Sequence, residues 1–178
     1  MRIIGGKLKG KTINPPAGYP ARPTTDFAKE GLFNILESEY ELEGFTLLDL
    51  FGGTGSISAE FISRGGKEAV CVEMNLKNAS FISKTHKKLG LTQIRTVHNN
   101  VFDFLKLCNR TFDFIFADPP YQLEGLETIP DKIFNRETPI LTGEGYLILE
   151  HGGDYDFSSH PHFVKERHYG NVHFSFFS

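Results

Sequence analysis

From residue 45 onward, short apolar runs alternate with helix-like segments, and this alternation restricts the fold more than any other feature of the sequence. The runs are nearly continuous in apolar residues, as expected for strands that are covered on both faces. They cover residues 45–51, 68–73, 94–98, 112–118 and 145–150. Strands that alternate with helices form a mostly parallel sheet with right-handed crossovers. The sequence therefore predicts an α/β fold with helices on both faces of the sheet.

The start of the chain departs from this alternation. Residues 1–13 read as two short strands around glycines, which predicts a β-hairpin arm, and the prolines of residues 14–25 then favour an extended linker. A helix is expected to begin near Thr25, because a capping residue and an acidic first turn precede an apolar face there. We expect a single domain over 1–178, with arm and linker in residues 1–24 and a catalytic core in residues 25–178.

The end of the chain predicts a second hairpin. Residues 162–169 and 172–177 flank a Gly-Asn turn, which is a strong short signal for two antiparallel strands. Added to the five strands above, this hairpin completes a seven-stranded, mostly parallel sheet with an antiparallel hairpin at its edge.

Composition excludes several classes of protein. The 178 residues are 39% hydrophobic and 23% charged, and no apolar run is long enough to span a membrane. The two cysteines, Cys71 and Cys108, lie in apolar surroundings without a ligand spacing, which predicts free thiols and a cytoplasmic protein.

The seven histidines show no HxxxH-like spacing on one element, so we expect no metal site. The small size favours a monomer, and the lack of a long apolar run favours a protein without membrane contact.

The charge is distributed unevenly along the chain. The net charge is −3, yet residues 1–29 carry +5, and residues 64–95 are basic again. A basic arm and a second basic segment on an acidic chain favour a polyanionic partner.

A glycine-rich loop and a carboxylate together predict a nucleoside site. The stretch "DLFGGTG", residues 49–55 and here called the glycine loop, lets the backbone approach a ligand just before a helix. Glu73 ends the next strand, where a carboxylate can accept hydrogen bonds from both ribose hydroxyls. The G-x-G-x-x-G spacing of dinucleotide sites is absent, and Asp49 would repel a pyrophosphate. The pattern therefore favours S-adenosylmethionine over a dinucleotide.

The segment "DPPY", residues 118–121, follows another predicted strand into the same crevice. The Asp118 carboxylate and the Pro119 carbonyl could each accept one N–H of an exocyclic nucleobase amine and localise its lone pair. Pro120 restricts Pro119 to an extended conformation, and Tyr121 could stack on a base that is flipped or unpaired. The segment thus predicts methyl transfer to an amino group of a nucleobase.

With these motifs the chain resembles class I S-adenosylmethionine-dependent methyltransferases of Rossmann-like fold, which carry an (Asp/Asn)-Pro-Pro-(Tyr/Phe) motif when they act on amino groups. More closely, it resembles the RsmD-like family, guanine-N2 methyltransferases of bacterial small-subunit (16S) ribosomal RNA. The resemblance runs nearly end to end. It rests on "MRIIGG" at 1–6, "RPTTD" at 22–26, "KEGLFN" at 29–34, "DLFGGTG" at 49–55, "VEM" at 72–74, "NN" at 99–100 and "ADPPY" at 117–121.

The resemblance implies three sets of site residues and a partner, 16S ribosomal RNA or the small ribosomal subunit. The implied cofactor contacts are Asp49, Phe51, Gly53, Gly55, Glu73, Met74 and Asn100. The implied catalytic residues are Asp118, Pro119, Pro120 and Tyr121. The implied RNA contacts are Arg2, Lys7, Lys9, Lys11 and Arg22. Two positions depart from the family pattern, since Gly52 replaces a common alanine and Lys29 a usual arginine.

Three other functions stay open at this point. A DNA methyltransferase acting on adenine N6 or cytosine N4 would share the amine chemistry, although no separate target-recognition segment is visible. A non-catalytic RNA-binding assembly factor would keep the fold without turnover. A nicotinamide oxidoreductase is disfavoured by the missing glycine of the dinucleotide fingerprint.

Overall fold

The computed structural model describes residues 1–19, 25–120 and 122–178, and a seven-stranded sheet forms its centre. The strands are β1 (Thr46–Asp49), β2 (Glu68–Glu73), β3 (Ile94–His98), β4 (Phe112–Ala117), β5 (Leu141–His151), β6 (Phe163–Tyr169) and β7 (Val172–Phe177). Their order is β3-β2-β1-β4-β5-β7-β6, and the first five are parallel. This is a doubly wound, mostly parallel sheet with an antiparallel hairpin at its edge, as predicted.

The described residues also form five α-helices and two 3₁₀ turns. The helices are α1 (Asp26–Glu39), α2 (Ser56–Ser63), α3 (Leu76–Lys88), α4 (Val101–Leu107) and α5 (Ile129–Phe134), and the 3₁₀ turns cover Gly6–Leu8 and Leu126–Thr128. Thr25 caps α1 by accepting a hydrogen bond from the Ala28 amide, as the sequence predicted. Helix α5, which begins at a buried Ile-Pro pair, was not predicted from the sequence.

Two apolar clusters cover the two faces of the sheet, and β4 shows how the sequence divides between them. Phe114 and Phe116 pack into the cluster that contains Phe33 and Phe61. Ile115 and Ala117 pack into the other cluster. Side chains of successive strand residues point to opposite faces, so a run with apolar residues at both parities must be buried on both sides. The apolar run of β4 therefore required a central position in the sheet.

The N-terminal arm, residues 1–13, is a short antiparallel pairing closed by the first 3₁₀ turn. Arg2 and Thr12 form the bridge, and the Ile3 amide donates to the Lys11 carbonyl oxygen at 2.8 Å. The predicted hairpin is thus present as a single bridge rather than as two regular strands. With one bridge, the arm has to be held in place by other contacts.

Glu60 of α2 provides those contacts from inside the core. Its carboxylate accepts hydrogen bonds from the backbone amides of Ile4 and Gly5 at 2.8 and 2.7 Å. The Lys29 ammonium lies 3.5 Å from the same carboxylate and donates to the Arg2 carbonyl oxygen at 2.7 Å. Burial lowers the pKa of Lys29, although Glu60 opposes the shift. The buried ion pair of Lys29 and Glu60 therefore holds the backbone of the arm against α1 and α2.

The predicted antiparallel hairpin at the end of the chain is confirmed. Strand β7 pairs antiparallel with both β5 and β6, so β7 lies between them and β6 forms the edge of the sheet.

Both cysteines are free thiols, with Cys71 buried and Cys108 half-buried. None of the helices in the described ranges combines the length and hydropathy that a membrane span requires.

Candidate active site

The order of the strands brings two of the predicted motifs to one edge of the sheet. Strand β1 lies between β2 and β4, and Asp49 is in register with Phe116. All three strands run in the same direction, so the glycine loop after β1, Glu73 at the end of β2 and Asp118 after β4 share the carboxyl edge. Ligands of doubly wound sheets bind at this edge, where the strand order reverses.

The glycine loop turns sharply into α2. Gly53 and Gly55 have φ of 54° and 75°, a conformation that residues with a side chain rarely adopt. The Gly55 amide donates to the Gly52 carbonyl oxygen at 2.6 Å and closes the turn. A Cβ atom at Gly55 would lie 2.7 Å from Nε2 of His86, so the position also requires the absence of a side chain.

Glu73 connects the glycine loop to the end of β2. One carboxylate oxygen accepts a hydrogen bond from the Gly53 amide at 3.0 Å, and the other accepts one from the Asn75 amide at 2.7 Å. Each carboxylate oxygen has more than one acceptor direction, so both can still accept from a ligand hydroxyl. The Glu73 carboxylate is therefore oriented on the backbone in a way that suits a ribose.

Asp49 lies beneath the loop. It is buried, and its Oδ2 accepts a hydrogen bond from the Ser58 hydroxyl at 2.7 Å. Burial raises the pKa of Asp49 to about 6, although hydrogen bonding by Ser58 opposes the shift. The predicted direct contact of Asp49 with the cofactor stays a prediction. Its hydrogen bond with Ser58 shows that it also joins β1 to the first turns of α2.

Tyr19 is a site residue that the sequence analysis missed. Its hydroxyl donates to the Gly53 carbonyl oxygen at 2.6 Å, and its ring packs against Phe81 of α3 with centroids 5.2 Å apart. Burial, with the nearby charge of Glu73, raises the pKa of Tyr19 well above its usual range. The only sequence signal was an aromatic residue within the proline-rich linker. Tyr19 therefore joins the linker to the glycine loop.

His86 is a second missed residue, and it supports the loop from α3. Its Nε2 lies 2.9 Å from the Gly55 carbonyl oxygen, which can only accept, so Nε2 carries the proton. Burial lowers the pKa of His86, which keeps the ring neutral. The sequence placed this histidine in a basic helix without indicating that its face contacts the loop.

Met74 and Asn100 lie beside each other at the ends of β2 and β3. Met74 is 64% exposed, and the Asn100 side-chain amide donates to its sulfur at 3.5 Å. The Asn100 Oδ1 accepts from the Phe102 amide and so caps α4. The predicted cofactor contacts of Met74 and Asn100 stay predictions. Phe51, half-buried, packs against the core cluster around Leu48.

The segment after β4 begins at the same edge. Asp118 is half-buried, Pro119 is buried and Pro120 is exposed. The Pro120 carbonyl oxygen accepts from the Leu123 amide at 2.8 Å, so the chain turns directly after the prolines. Tyr121 lies outside the described residues, and its predicted stacking role stays a prediction.

The predicted RNA contacts lie on the N-terminal arm. Lys7, Lys9 and Lys11 are exposed. Arg2 is also exposed, and its guanidinium pairs with Asp26 at 3.1 Å. Arg22 lies outside the described residues. The arm therefore carries its lysines on the solvent side, while its backbone is held by Glu60.

Comparison with known proteins identifies the family. A family model described as conserved hypothetical protein 95 matches residues 1–178. The chain belongs to this family.

Relatives of this family member include named enzymes. It is 33% identical to the putative rRNA methyltransferase YlbH of Bacillus subtilis (strain 168) over 155 residues, covering 85% of this chain and 82% of YlbH. It is 32% identical over 127 residues to ribosomal RNA small subunit methyltransferase D of Escherichia coli (strain K12), covering 71% of this chain and 63% of that protein. A solved structure of a hypothetical protein from Thermus thermophilus superimposes with a TM-score of 0.87 at 26% identity, covering 100% of this chain and 99% of the other.

Gly52, where the family pattern has alanine, has a local reason in this family member. A Cβ atom at Gly52 would lie 2.6 Å from the Cys71 sulfur and 3.2 Å from the Ile82 Cδ1 atom. The cysteine on β2 therefore occupies the space that an alanine methyl group would need, so the two positions have to be considered together.

Proposed function

We propose that this protein is an S-adenosylmethionine-dependent methyltransferase that acts on small-subunit ribosomal RNA, and that its target is the exocyclic N2 amine of a guanine. One observation carries the proposal. Strands β2, β1 and β4 are neighbours in the sheet and run in the same direction. Their carboxyl ends carry Glu73, the glycine loop and the Asp118–Pro119 pair, respectively. A nucleoside cofactor and an amine acceptor would therefore meet at one point.

The donor groups at the carboxyl edge fit the cofactor. Glu73 is held by two backbone amides and would accept hydrogen bonds from the ribose hydroxyls. Met74 and Asn100 would flank the adenine ring, and the backbone of Gly53 and Gly55 would approach the methionine portion. When bound, S-adenosylmethionine supplies an electrophilic methyl group on a positively charged sulfur.

The residues after β4 would prepare the amine. The Asp118 carboxylate and the Pro119 carbonyl oxygen accept its two N–H groups and hold the nitrogen lone pair away from conjugation with the ring. That lone pair would form the new N–C bond as the bond between the methyl group and the sulfonium sulfur breaks and S-adenosylhomocysteine leaves, and the nitrogen would lose one proton to water. Tyr121 would stack on the base, which must be flipped or already unpaired.

The lysines of the arm support an RNA substrate. Lys7, Lys9 and Lys11 project from a segment whose backbone is fixed to the core, so they would contact phosphates at a constant position relative to the site. Phosphate contacts of this kind position a nucleic acid without reading its sequence. We propose that the protein works in this way as a cytoplasmic monomer.

Methyl transfer to small ribosomal subunits from cells that lack this enzyme tests the proposal. Labelled S-adenosylmethionine should yield N2-methylguanosine in a nucleoside digest. Asp118→Asn should lower kcat by about 100-fold or more, because the variant loses a charged acceptor of the amine. The same change at the exposed Asp131 of α5 is the matched control and should leave kcat unchanged.

Other outcomes would separate the alternatives. Label in another nucleoside would keep the amine chemistry and discard the guanine target, and label in duplex DNA alone would identify a DNA methyltransferase. A rise in melting temperature with S-adenosylhomocysteine, but no transfer to any RNA, would indicate a non-catalytic assembly factor. Stabilisation by NAD instead would overturn the choice of cofactor.

A further inference from the structure

Three adjacent strands bring two histidines and a glutamate together at the C-terminal edge of the sheet. The residues are His151 at the end of β5, Glu166 on β6 and His173 on β7, and His151 is in register with His173. One side-chain ligand atom from each lies within 4.8 Å of the other two. His151 is buried, while the side chains of Glu166 and His173 are 23% and 19% exposed.

The hydrogen bonds of His151 leave a lone pair aimed into this cluster. Its Nδ1 lies 2.8 Å from the Gly152 carbonyl oxygen, which can only accept, so Nδ1 carries a proton. In a neutral ring Nε2 is then an acceptor, and it lies 3.4 Å from Oε2 of Glu166. Metal-ligating histidines commonly donate their other N–H to a backbone carbonyl in this way.

The acceptors in the cluster outnumber what one hydroxyl can satisfy. Ser175 Oγ lies 2.8 Å from Nε2 of His151 and 3.1 Å from Oε2 of Glu166. A hydroxyl has a single proton, so it can donate to only one of them. At the other contact two lone pairs would face each other unless a proton or a cation lay between them.

The remaining ligands are on the hairpin. Nδ1 of His173 lies 3.1 Å from Oε1 of Glu166, and Nε2 of His168 lies 2.5 Å from the same oxygen. The side chain of His168 is 58% exposed, and its ring centroid is 4.1 Å from that of His173. His168 or a water molecule could therefore supply a fourth ligand.

We propose that His151, Glu166 and His173 form a Zn²⁺ site that fastens the C-terminal hairpin to β5. Tetrahedral Zn²⁺ binds nitrogen and oxygen at about 2.0–2.2 Å, which places neighbouring ligand atoms roughly 3.3–3.5 Å apart. Oε2 of Glu166 lies 3.4 Å from Nε2 of His151, and Oε1 lies 3.1 Å from Nδ1 of His173, so each histidine meets a different carboxylate oxygen. A rotation of the carboxylate and of the partly exposed His173 ring would bring one oxygen within the ligand spacing of both nitrogens. Imidazole and carboxylate ligands suit Zn²⁺.

The proposal departs from the expectation of no metal site. That expectation rested on ligand spacing within one element, whereas these ligands come from three strands. Strand pairing sets their distance, and sequence separations of 15 and 7 residues carry no ligand pattern of their own. The site would act on the hairpin and is independent of the proposed methyl transfer.

Metal binding by the full chain, without a histidine tag and after dialysis against a chelator, tests the site. Wild-type protein should bind one equivalent of Zn²⁺ in calorimetry, and Co²⁺ should give the visible absorption bands of tetrahedral coordination. Zn²⁺ should also raise the melting temperature relative to the chelated protein. Glu166→Gln and His173→Asn should each lower Zn²⁺ affinity on the order of 100-fold, because each removes one of three ligands.

The matched control is His98→Asn, an exposed histidine on β3 at the opposite end of the sheet. It should bind Zn²⁺ as the wild type does. Circular dichroism of the chelated variants shows whether they fold, and the nearly isosteric Glu166→Gln guards against simple unfolding. Absence of stoichiometric binding, or equal binding by all variants, would overturn the proposal and leave a hydrogen-bonded cluster with a protonated imidazole.

Discussion

The hydroxyl of Tyr19 donates a 2.6 Å hydrogen bond to the carbonyl oxygen of Gly53, and so joins the N-terminal segment to the glycine loop. The two residues are separated by 34 positions in sequence, and the ring of Tyr19 is supported by Phe81. The same glycine donates its amide to Glu73. The peptide groups around Gly53 are thus held from two sides, which prepares the loop for a ligand.

Tyr19→Phe should weaken binding of S-adenosylhomocysteine by about 2- to 10-fold, since one hydrogen bond that favours the binding geometry is lost. Calorimetry measures the change in Kd. Tyr155→Phe removes a hydroxyl from a tyrosine that packs against Phe157 and should leave the Kd unchanged. An unaltered Kd in Tyr19→Phe would show that the loop keeps its conformation without this hydrogen bond.

Asp49 should make stability depend on pH in a particular direction. Its folded-state pKa of about 6 lies above the unfolded value near 3.8, because burial disfavours the charge. The folded state therefore holds the proton more tightly. The stability that this gives is complete below about pH 4 and is lost as the pH rises through about 6.

Asp49→Asn isolates this effect, because the amide keeps an acceptor for Ser58 but does not titrate. The wild type should therefore be more stable relative to the variant at about pH 4.5 than at about pH 7.5. The difference between their free energies of unfolding should be larger at the lower pH by about 2 kcal/mol. Urea denaturation at the two pH values measures it. A difference that stays constant would mean that Asp49 titrates normally.

Gly52→Ala should destabilise the protein by about 1–3 kcal/mol, because the new methyl group would overlap the Cys71 sulfur. Cys71→Ala removes that sulfur and leaves a small cavity. The double variant should therefore cost less than the sum of the two single changes, by at least about 0.5 kcal/mol. Denaturant unfolding of the four proteins measures the coupling, and strict additivity would argue against the contact.

The arm lysines should determine part of the salt dependence of RNA binding. Replacing Lys7, Lys9 and Lys11 with alanine should reduce the slope of log K against log salt by about 2–3, since each phosphate contact contributes roughly 0.7–0.9. The same triple change at Lys84, Lys87 and Lys88 of α3 provides the comparison and should reduce the slope less. Equal slopes for wild type and arm variant would remove the arm from the RNA surface.

Much of the architecture was predictable from local pattern. Apolar periodicity located the five parallel strands and the final hairpin, and Thr25 marked the start of α1. Strand boundaries moved by a few residues, as at β1, which ends at Asp49 because the chain turns there into the glycine loop. Such features follow from the covalent order of residues, which sets the face of a strand on which each side chain lies.

Local sequence was enough to predict the fold class and to locate the glycine loop, Glu73 and the segment after β4, because each depends on neighbouring residues or on the end of one strand. The residues that surround them could be found only from the packing of the elements. Three hydrogen-bonded contacts join residues that are 31 to 56 positions apart in the sequence. They link Tyr19 with Gly53, His86 with Gly55, and Glu60 with the arm. The cluster of His151, Glu166 and His173 is set by strand register. Contacts of this kind depend on how elements pack, and no periodicity in the chain encodes them.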